Sequence, residues 1–394
     1  MSTSIKLGFV GLSATHSWAS RAHLPALKNL EPSPYRITGL VNSSFESANI
    51  SKDAHGLRDA RPYDSVEKMV AEADKASAVD VVVVSVKVPH HYSLIRPALE
   101  AGKDVFSEWP LGNGLEEAEE LAKLARDKGV KTAVTMQARK APPILKAKQL
   151  VDSGVIGRVL STTFIAHGSM WSQFFREGST DYLLHEKNGA NLMTIPGGHD
   201  LDALAYVLGE FESLSATVKT QLPTLDLVKP SENGKMIKTG SQITKDIADQ
   251  ILVHGTLTSG VTASIHLRAT HESDLTKGEQ LHWEIHGTNG DILISSSSCL
   301  AEMSELKIQL GRWDDAGNAL GVQDLSEKYD PIVGNVQDMY KAFATKPTGI
   351  FVPPQYGQAE GFPTFDDAVI RHRMIDAIYK SSKTGTRQSY KTTV

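Results

Sequence analysis

Cysteine is nearly absent: Cys299 is the single one in 394 residues. No internal disulfide and no zinc site built on several thiolates can form, which suits a reducing compartment. Long apolar runs are missing as well. The longest, Ala203–Leu208, is far short of a membrane span and fits a buried core helix. Basic charge is not in excess: 41 Lys and Arg stand against 46 Asp and Glu, a net charge of −5. That sets aside nucleic acid and anionic membrane as direct partners. No apolar stretch able to act as a signal peptide precedes the first strand, and Lys391-Thr-Thr-Val394 matches no retention or peroxisomal signal. Cytoplasmic residence is the expectation, with the nucleus left open. There is no Gly-x-Ser-x-Gly elbow for an activated serine. His90-His91 has no carboxylate cluster beside it, and neighbours on a helix point apart, so no metal site is expected.

What is present is ordinary globular material, 40% hydrophobic and 22% charged. At about 150 residues per domain the length suits two or three domains. Strand and helix signals alternate through the first third. Ile5–Val10, Tyr35–Val41, Val79–Val86, Lys103–Ser107 and Lys131–Met136 read as strands, and helices are expected over about 17–28 and around Ala118–Ala125. Strands with almost no polar face, alternating with helices, predict a doubly wound parallel sheet over residues 1–138. The remainder, 139–394, reads as α+β with a large open, mostly antiparallel sheet. Its strands are expected near 159–166, 213–220, 251–257, 261–267 and 282–295, the last folded at Asn289-Gly290. Helices are expected at 142–151, 198–208 and 365–381, and the polar stretches 226–246 and 311–330 read as surface loops.

A first parallel strand that feeds a helix makes an anion site at the helix start. The usual fingerprint places three glycines in six residues, whereas here only Gly11 remains, with Ser13 and His16 in the other two places. At the end of the second strand, where Asp or Glu usually holds the ribose of NAD, the sequence reads Val41-Asn42-Ser43-Ser44. Nothing there repels a 2′-phosphate and no arginine clamps one, so NADP and NAD both stay open.

Gly8-Phe-Val-Gly-Leu, Trp18-Ala, His23-Leu-Pro-Ala, Ala98-Leu-Glu-Ala-Gly-Lys103, Glu108-Trp-Pro-Leu111, Ala147-Lys-Gln-Leu, Gly154-Val-Ile-Gly157 and Gly198-His-Asp-Leu-Asp202 follow one another along the chain. In that order they resemble the motifs of the glucose–fructose oxidoreductase and inositol dehydrogenase family. The resemblance implies a Rossmann dinucleotide-binding domain at the N-terminus and a homodimer or homotetramer built through the open sheet. Val88-Pro-His-His91-Tyr, Gln137-Ala-Arg-Lys140 and Glu360-Gly-Phe-Pro-Thr with His372-Arg are similar to the family's galactose-regulon co-repressor branch. From these likenesses Gly11, Ser13, Ser43, His91, Glu108, Trp109 and Arg139 are expected to line the dinucleotide site, with His16, Trp18 and Asn42 beside them.

Family dehydrogenases need a base for the hydroxyl proton and a cation for the developing alkoxide. The family's usual set is a lysine in Glu-Lys-Pro, an aspartate, and a histidine four residues later. Here the lysine is Trp109, and Ile195 stands four residues before His199. His199 remains, with Asp202 one helical turn on, and Tyr182, His185 and Lys187 lie in the preceding loop. Three readings stay open. One is an oxidoreductase acting on a sugar, polyol or related carbonyl compound, with His199 transferring the proton, Asp202 orienting it, and Tyr182 assisting. The second is a dinucleotide-binding transcriptional co-repressor whose cleft takes an activator peptide. The third is an inactive relative in which His199 is a core histidine and Trp109 only packs.

Overall fold

The computed structural model describes residues 4–74, 76–168, 170, 172–270, 278–345 and 361–394. The chain forms two compact units, and the division is discontinuous. The first comprises Met1–Lys140, Asp330–His372 and Val394, and the second Ala141–Tyr329 and Arg373–Thr393. The sequence pattern predicts a single boundary at residue 138. What differs is the return of 330–372 to the first unit.

That unit holds six parallel strands, β1 (Ile5–Val10), β2 (Tyr35–Val41), β3 (Arg61–Tyr63), β4 (Val81–Val84), β5 (Asp104–Glu108) and β6 (Thr132–Thr135), in the order β3-β2-β1-β4-β5-β6. The helices between them are α1 (Leu24–Lys28), α2 (Phe45–His55), α3 (Val66–Val70), α4 (His91–Glu100) and α5 (Leu115–Lys128). The expected helix over 17–28 starts as a π-helical turn, Ala19–His23, that runs into α1. Valines 81–84 are all buried, as a sheet covered on both faces requires. A further helix, Val333–Thr345, places Val336, Met339, Tyr340 and Phe343 at i, i+3, i+4 and i+7, all buried in the core formed with Leu7, Phe9, Leu27 and Phe106. At about 1.5–3 kcal/mol for each large side chain taken out of water, that stripe is why the chain comes back.

The second unit carries an eight-stranded sheet, in the order 319–324, 307–313, 290–296, 281–287, 159–168, 262–269, 250–257 and 211–219. Every neighbouring pair is antiparallel except 159–168 with 262–269, which is parallel. The hairpin expected at Asn289-Gly290 joins Leu281–Gly287 to Gly290–Ser296. Both stretches read as surface loops contain strands instead. Thr224–Pro230 and Met236–Thr244 pair in a three-stranded sheet with Phe174–Arg176, and Ala319–Asp324 edges the large sheet. The strands 236–244 and 319–324 are exposed on both faces, so no apolar alternation marked them. The helix Pro196–Leu208 is buried along nearly its whole length, and the last helix runs Phe365–Thr384, three residues beyond the expected end. No described helix is long and apolar enough to cross a membrane.

Candidate functional site

The loop after β1 begins at Gly11, whose φ is +91°. A Cβ there would lie 2.2 Å from the Ser85 carbonyl oxygen and 2.6 Å from Val86 Cγ1, so only glycine fits the passage between β1 and β4. Beyond it, side chains take over the work the missing glycines would do. Asn42 Nδ2 donates to the Leu12 carbonyl at 3.0 Å, Ser51 Oγ donates to the same oxygen at 2.6 Å, and His55 Nε2 sits 2.8 Å from the Ser13 carbonyl. A trans peptide points its C=O and the following N–H in opposite directions. Holding the Ser13 carbonyl toward α2 therefore turns the Ala14 N–H away from α2. Ser13, Thr15, Ser17 and Ser20 brace the turn through their hydroxyls. His16 is exposed, and Trp18 is half-buried against the core with its Nε1 donor buried and unpartnered among the described residues. A strand-to-helix turn that only glycine can enter, with a backbone N–H turned away from α2, fits a phosphate-bearing ligand.

The expected ring of cofactor residues is only partly free. Ser43 is exposed at the end of β2, while Ser44 caps α2 by accepting from the Ser47 N–H. Asn42 is spent on the loop rather than open toward a ribose. His91 is buried, with Nδ1 2.6 Å from the Pro110 carbonyl and Nε2 3.0 Å from the Val86 carbonyl. Burial pushes its pKa down, while the two carbonyls pull against that shift. It ties the turn after β5 to the end of β4 and has no nitrogen left for a ligand. Glu108 Oε1 lies 2.5 Å from His23 Nε2. Trp109 is 4% exposed and packs on His372 with ring centroids 4.7 Å apart, so the residue expected to line the dinucleotide site makes an interior contact. The His372 imidazole is pushed down to about 3 by burial, with His91 adding to the shift. Arg139 is paired with Asp367 at 2.9 Å, both largely buried. Glu360 lies outside the described residues.

In the second unit, the helix Pro196–Leu208 opens with Pro196 in its first turn and buries His199, Asp200 and Asp202. His199 Nδ1 has no hydrogen-bond partner among the described residues, so the orientation expected from Asp202 is not made through that nitrogen. Two neighbours that the sequence did not single out matter more. Asp200 is fully buried with neither carboxylate oxygen hydrogen-bonded among the described residues. Its pKa is driven well up by burial and then by Glu302, against the backbone amide of Ala301. Glu302 is buried too, its pKa raised by burial and drawn back by His199. Cys299 beside them is pushed up to about 12 by burial, then by Asp200 and Glu302. An imidazole and two carboxyls thus lie together out of water. Tyr182 sits in the turn Asp181–Leu184, its carbonyl accepting from Asn188 at 2.8 Å. His185 is drawn to Asp181 and Asp246, at 3.5 and 3.8 Å, and Lys187 is exposed. Among the described residues no group of three or more His, Cys, Asp or Glu could hold a metal ion.

Residues 5–136 match an oxidoreductase family with an NAD-binding Rossmann fold, and residues 142–296 match the C-terminal domain of Gal80p. Dehydrogenase aclE of Aspergillus oryzae is 34% identical over 99% of this chain and 100% of its own length. This chain belongs to the glucose–fructose oxidoreductase and inositol dehydrogenase (Gfo/Idh/MocA) family. Within that family it stands near the Gal80 branch. The galactose/lactose metabolism regulatory protein GAL80 of Saccharomyces cerevisiae is 30% identical over 97% of this chain and 93% of its own. A crystal structure of a super-repressor mutant of Gal80p from that yeast superposes with a TM-score of 0.88 at 30% identity, covering 98% of each chain. Against the Gfo/Idh/MocA pattern, two departures now have a structural form. Trp109, in place of the lysine, is an interior residue, and Ile195, in place of the aspartate, precedes the first turn of the His199 helix.

Proposed function

We propose that the chain is an NAD- or NADP-dependent oxidoreductase acting on a sugar, polyol or related carbonyl compound. The observation that carries this reading is His199, buried with its Nδ1 lacking a partner among the described residues, beside Asp200 and Glu302, in a chain whose first domain has an NAD-binding fold. The loop at Gly11 and the Ala14 N–H suit the pyrophosphate. Ser43, with no carboxylate beside it, admits a 2′-phosphate as readily as a hydroxyl. When bound, the coenzyme supplies the hydride acceptor or donor. His199 moves the hydroxyl proton, and the carboxyl of Glu302 stabilises the charged ring. Tyr182 and Asp202 are the further candidates for orienting substrate and ring. With the lysine gone, this cluster takes over the acid–base role.

Calorimetric titration with NAD, NADH, NADP and NADPH, then a sugar and polyol panel followed at the nicotinamide absorbance, tests the reading. Replacing His199 by Ala should lower turnover by about two to four orders of magnitude. Turnover that survives that change intact removes the histidine from the mechanism. We further propose a cytoplasmic homodimer or homotetramer, checked by light scattering.

The match of 142–296 to the Gal80p C-terminal domain favours a second reading, a dinucleotide-binding co-repressor with access to the nucleus. Capture of an acidic activation-domain peptide, with no turnover on the panel, is the outcome that reading expects.

A further inference from the structure

Three side chains far apart in sequence form one buried hydrogen-bonded line in the first unit. The Tyr340 hydroxyl, on the returning helix, lies 2.8 Å from His23 Nδ1, and His23 Nε2 lies 2.5 Å from Glu108 Oε1 at the end of β5. His23 is completely buried, Tyr340 is 1% exposed, and the Glu108 side chain is 14% exposed, so the line is interior at one end and reaches solvent at the other. Phe9, Phe106 and Tyr340 meet the imidazole edge-on at 5.8–6.0 Å and prevent it from turning. Phe106 also stacks on the Tyr340 ring at 4.5 Å. The Tyr35 hydroxyl donates to the Tyr340 carbonyl at 2.7 Å and holds the helix at that turn.

The donors can be ordered. Burial, then Tyr35 and Glu108, drive the Tyr340 phenol well above its ordinary pKa, so it keeps its proton and has His23 Nδ1 as its acceptor. A neutral imidazole that accepts at Nδ1 carries its hydrogen on Nε2, facing Glu108. One carboxylate oxygen is then fixed, and Oε2 is the one left for a hydroxyl or amide donor of a bound molecule.

We propose that Tyr340 and His23 are positioning residues that lock Glu108 as an oriented acceptor for the dinucleotide. This rests on the reading that the first unit binds one. The returning helix is thereby a working part of the coenzyme site. Tyr340→Phe keeps the ring packing and removes only the hydroxyl. It leaves His23 free to adopt the other tautomer, which presents a bare nitrogen to the carboxylate.

The test is a double-mutant cycle on NADH affinity, using the full chain with Tyr340→Phe, Glu108→Gln and both together. Tyr340→Phe alone should weaken NADH by about five- to tenfold, the loss of one charge-assisted contact. The same change made on top of Glu108→Gln should cost less than about twofold, because there is no longer a carboxylate to orient. Equal losses in both backgrounds mean that Tyr340 acts only through packing, and the proposal falls. Should a variant fail to fold, nitrogen-15 histidine NMR of the unaltered chain decides, with the His23 signals assigned by their loss in His23→Gln or from backbone correlations. His23 protonated at Nε2 alone supports the relay, and protonation at Nδ1 overturns it. Failure of the unaltered protein to bind any of the four coenzymes removes the dinucleotide reading and this proposal together. Binding with an additive cycle removes this proposal alone.

Discussion

Replacing Gly11 by Ala tests whether the geometry between β1 and β4 holds the nucleotide loop. Two costs combine. An L-residue at φ +91° leaves its allowed region, at about 1–2 kcal/mol. The new methyl would also stand 2.2 Å from the Ser85 carbonyl oxygen, where ordinary contact begins at 3.4 Å, so backbone must separate by 3.4 − 2.2 = 1.2 Å. Overpacking of this kind costs about 1–3 kcal/mol. The shift strains two main-chain bonds, Ser85 N–H to the Val10 carbonyl at 3.0 Å and Gly11 N–H to the Val41 carbonyl at 2.9 Å. The sum is about 2–5 kcal/mol, a large share of a typical domain's stability of about 5–15 kcal/mol. Gly56 supplies the control. Its φ is +67°, but a Cβ there meets nothing within 4 Å, so Gly56→Ala carries only the conformational cost of about 1–2 kcal/mol. Urea titration of both variants, followed at the first unit's own tryptophans, Trp18 and Trp109, separates the steric part. Equal shifts in the midpoint would show that β1 and β4 yield easily, and the steric reasoning would be wrong. NADH affinity should fall for Gly11→Ala and stay level for Gly56→Ala.

The remaining predictions address the site residues. Trp18→Phe removes a buried donor that has no partner among the described residues, so it should leave the melting temperature level or higher; a clear fall would show that the indole N–H is satisfied in the folded chain. Asp200 keeps its proton in the folded chain above the pH at which the unfolded chain releases it. Its contribution is therefore complete below about pH 3.8 and declines as pH rises through the higher folded value. Asp200→Asn should flatten that decline and raise neutral-pH stability, and melting profiles from pH 4 to 8 that run parallel for the two proteins would refute it. Cys299, 8% exposed and pushed up to about 12, should resist iodoacetamide at pH 8 in the folded chain and react on unfolding, as read by mass spectrometry. Arg139→Ala strips the largely buried Asp367 of its cation, and thermal melts should show a loss of about 2–4 kcal/mol that Arg139→Lys partly restores.

Local pattern carried the parts of the fold that local physics determines. The buried valines of β4, the Asn289-Gly290 hairpin and the helix starting near Gly198 are each specified within a dozen residues, and each stands within a few residues of its expected bounds. The stripe Val336, Met339, Tyr340, Phe343 lies on a helix that the sequence analysis does not predict, and nothing nearby in sequence names the sheet it covers. That information lies in Phe9 and Phe106, more than two hundred residues earlier. The candidate site divides along the same line. Gly11 was readable because a strand-to-helix crossing leaves no room for a side chain. His91, by contrast, has the residue type of a ligand, yet its nitrogens are taken by carbonyls from Val86 and Pro110, which only the folded turn brings to it. Glu302 was invisible, since an acidic residue in an irregular stretch looks like any solvated one.

That last residue bears on what the site does. Trp109, standing where the family has its lysine, is packed on His372 in the interior. Near His199 stand the carboxyls of Asp200 and Glu302, both taken out of water. Desolvating such groups opposes folding and adds nothing to a cleft whose only role is to hold a peptide backbone. Beside an imidazole, burial raises the proton affinity of both and Glu302 adds to that of Asp200, which suits the acid–base chemistry proposed above. The cost of that burial is the physical reason to place oxidoreductase ahead of co-repressor. A His199→Ala, Glu302→Gln pair whose losses in turnover fail to add is its kinetic signature.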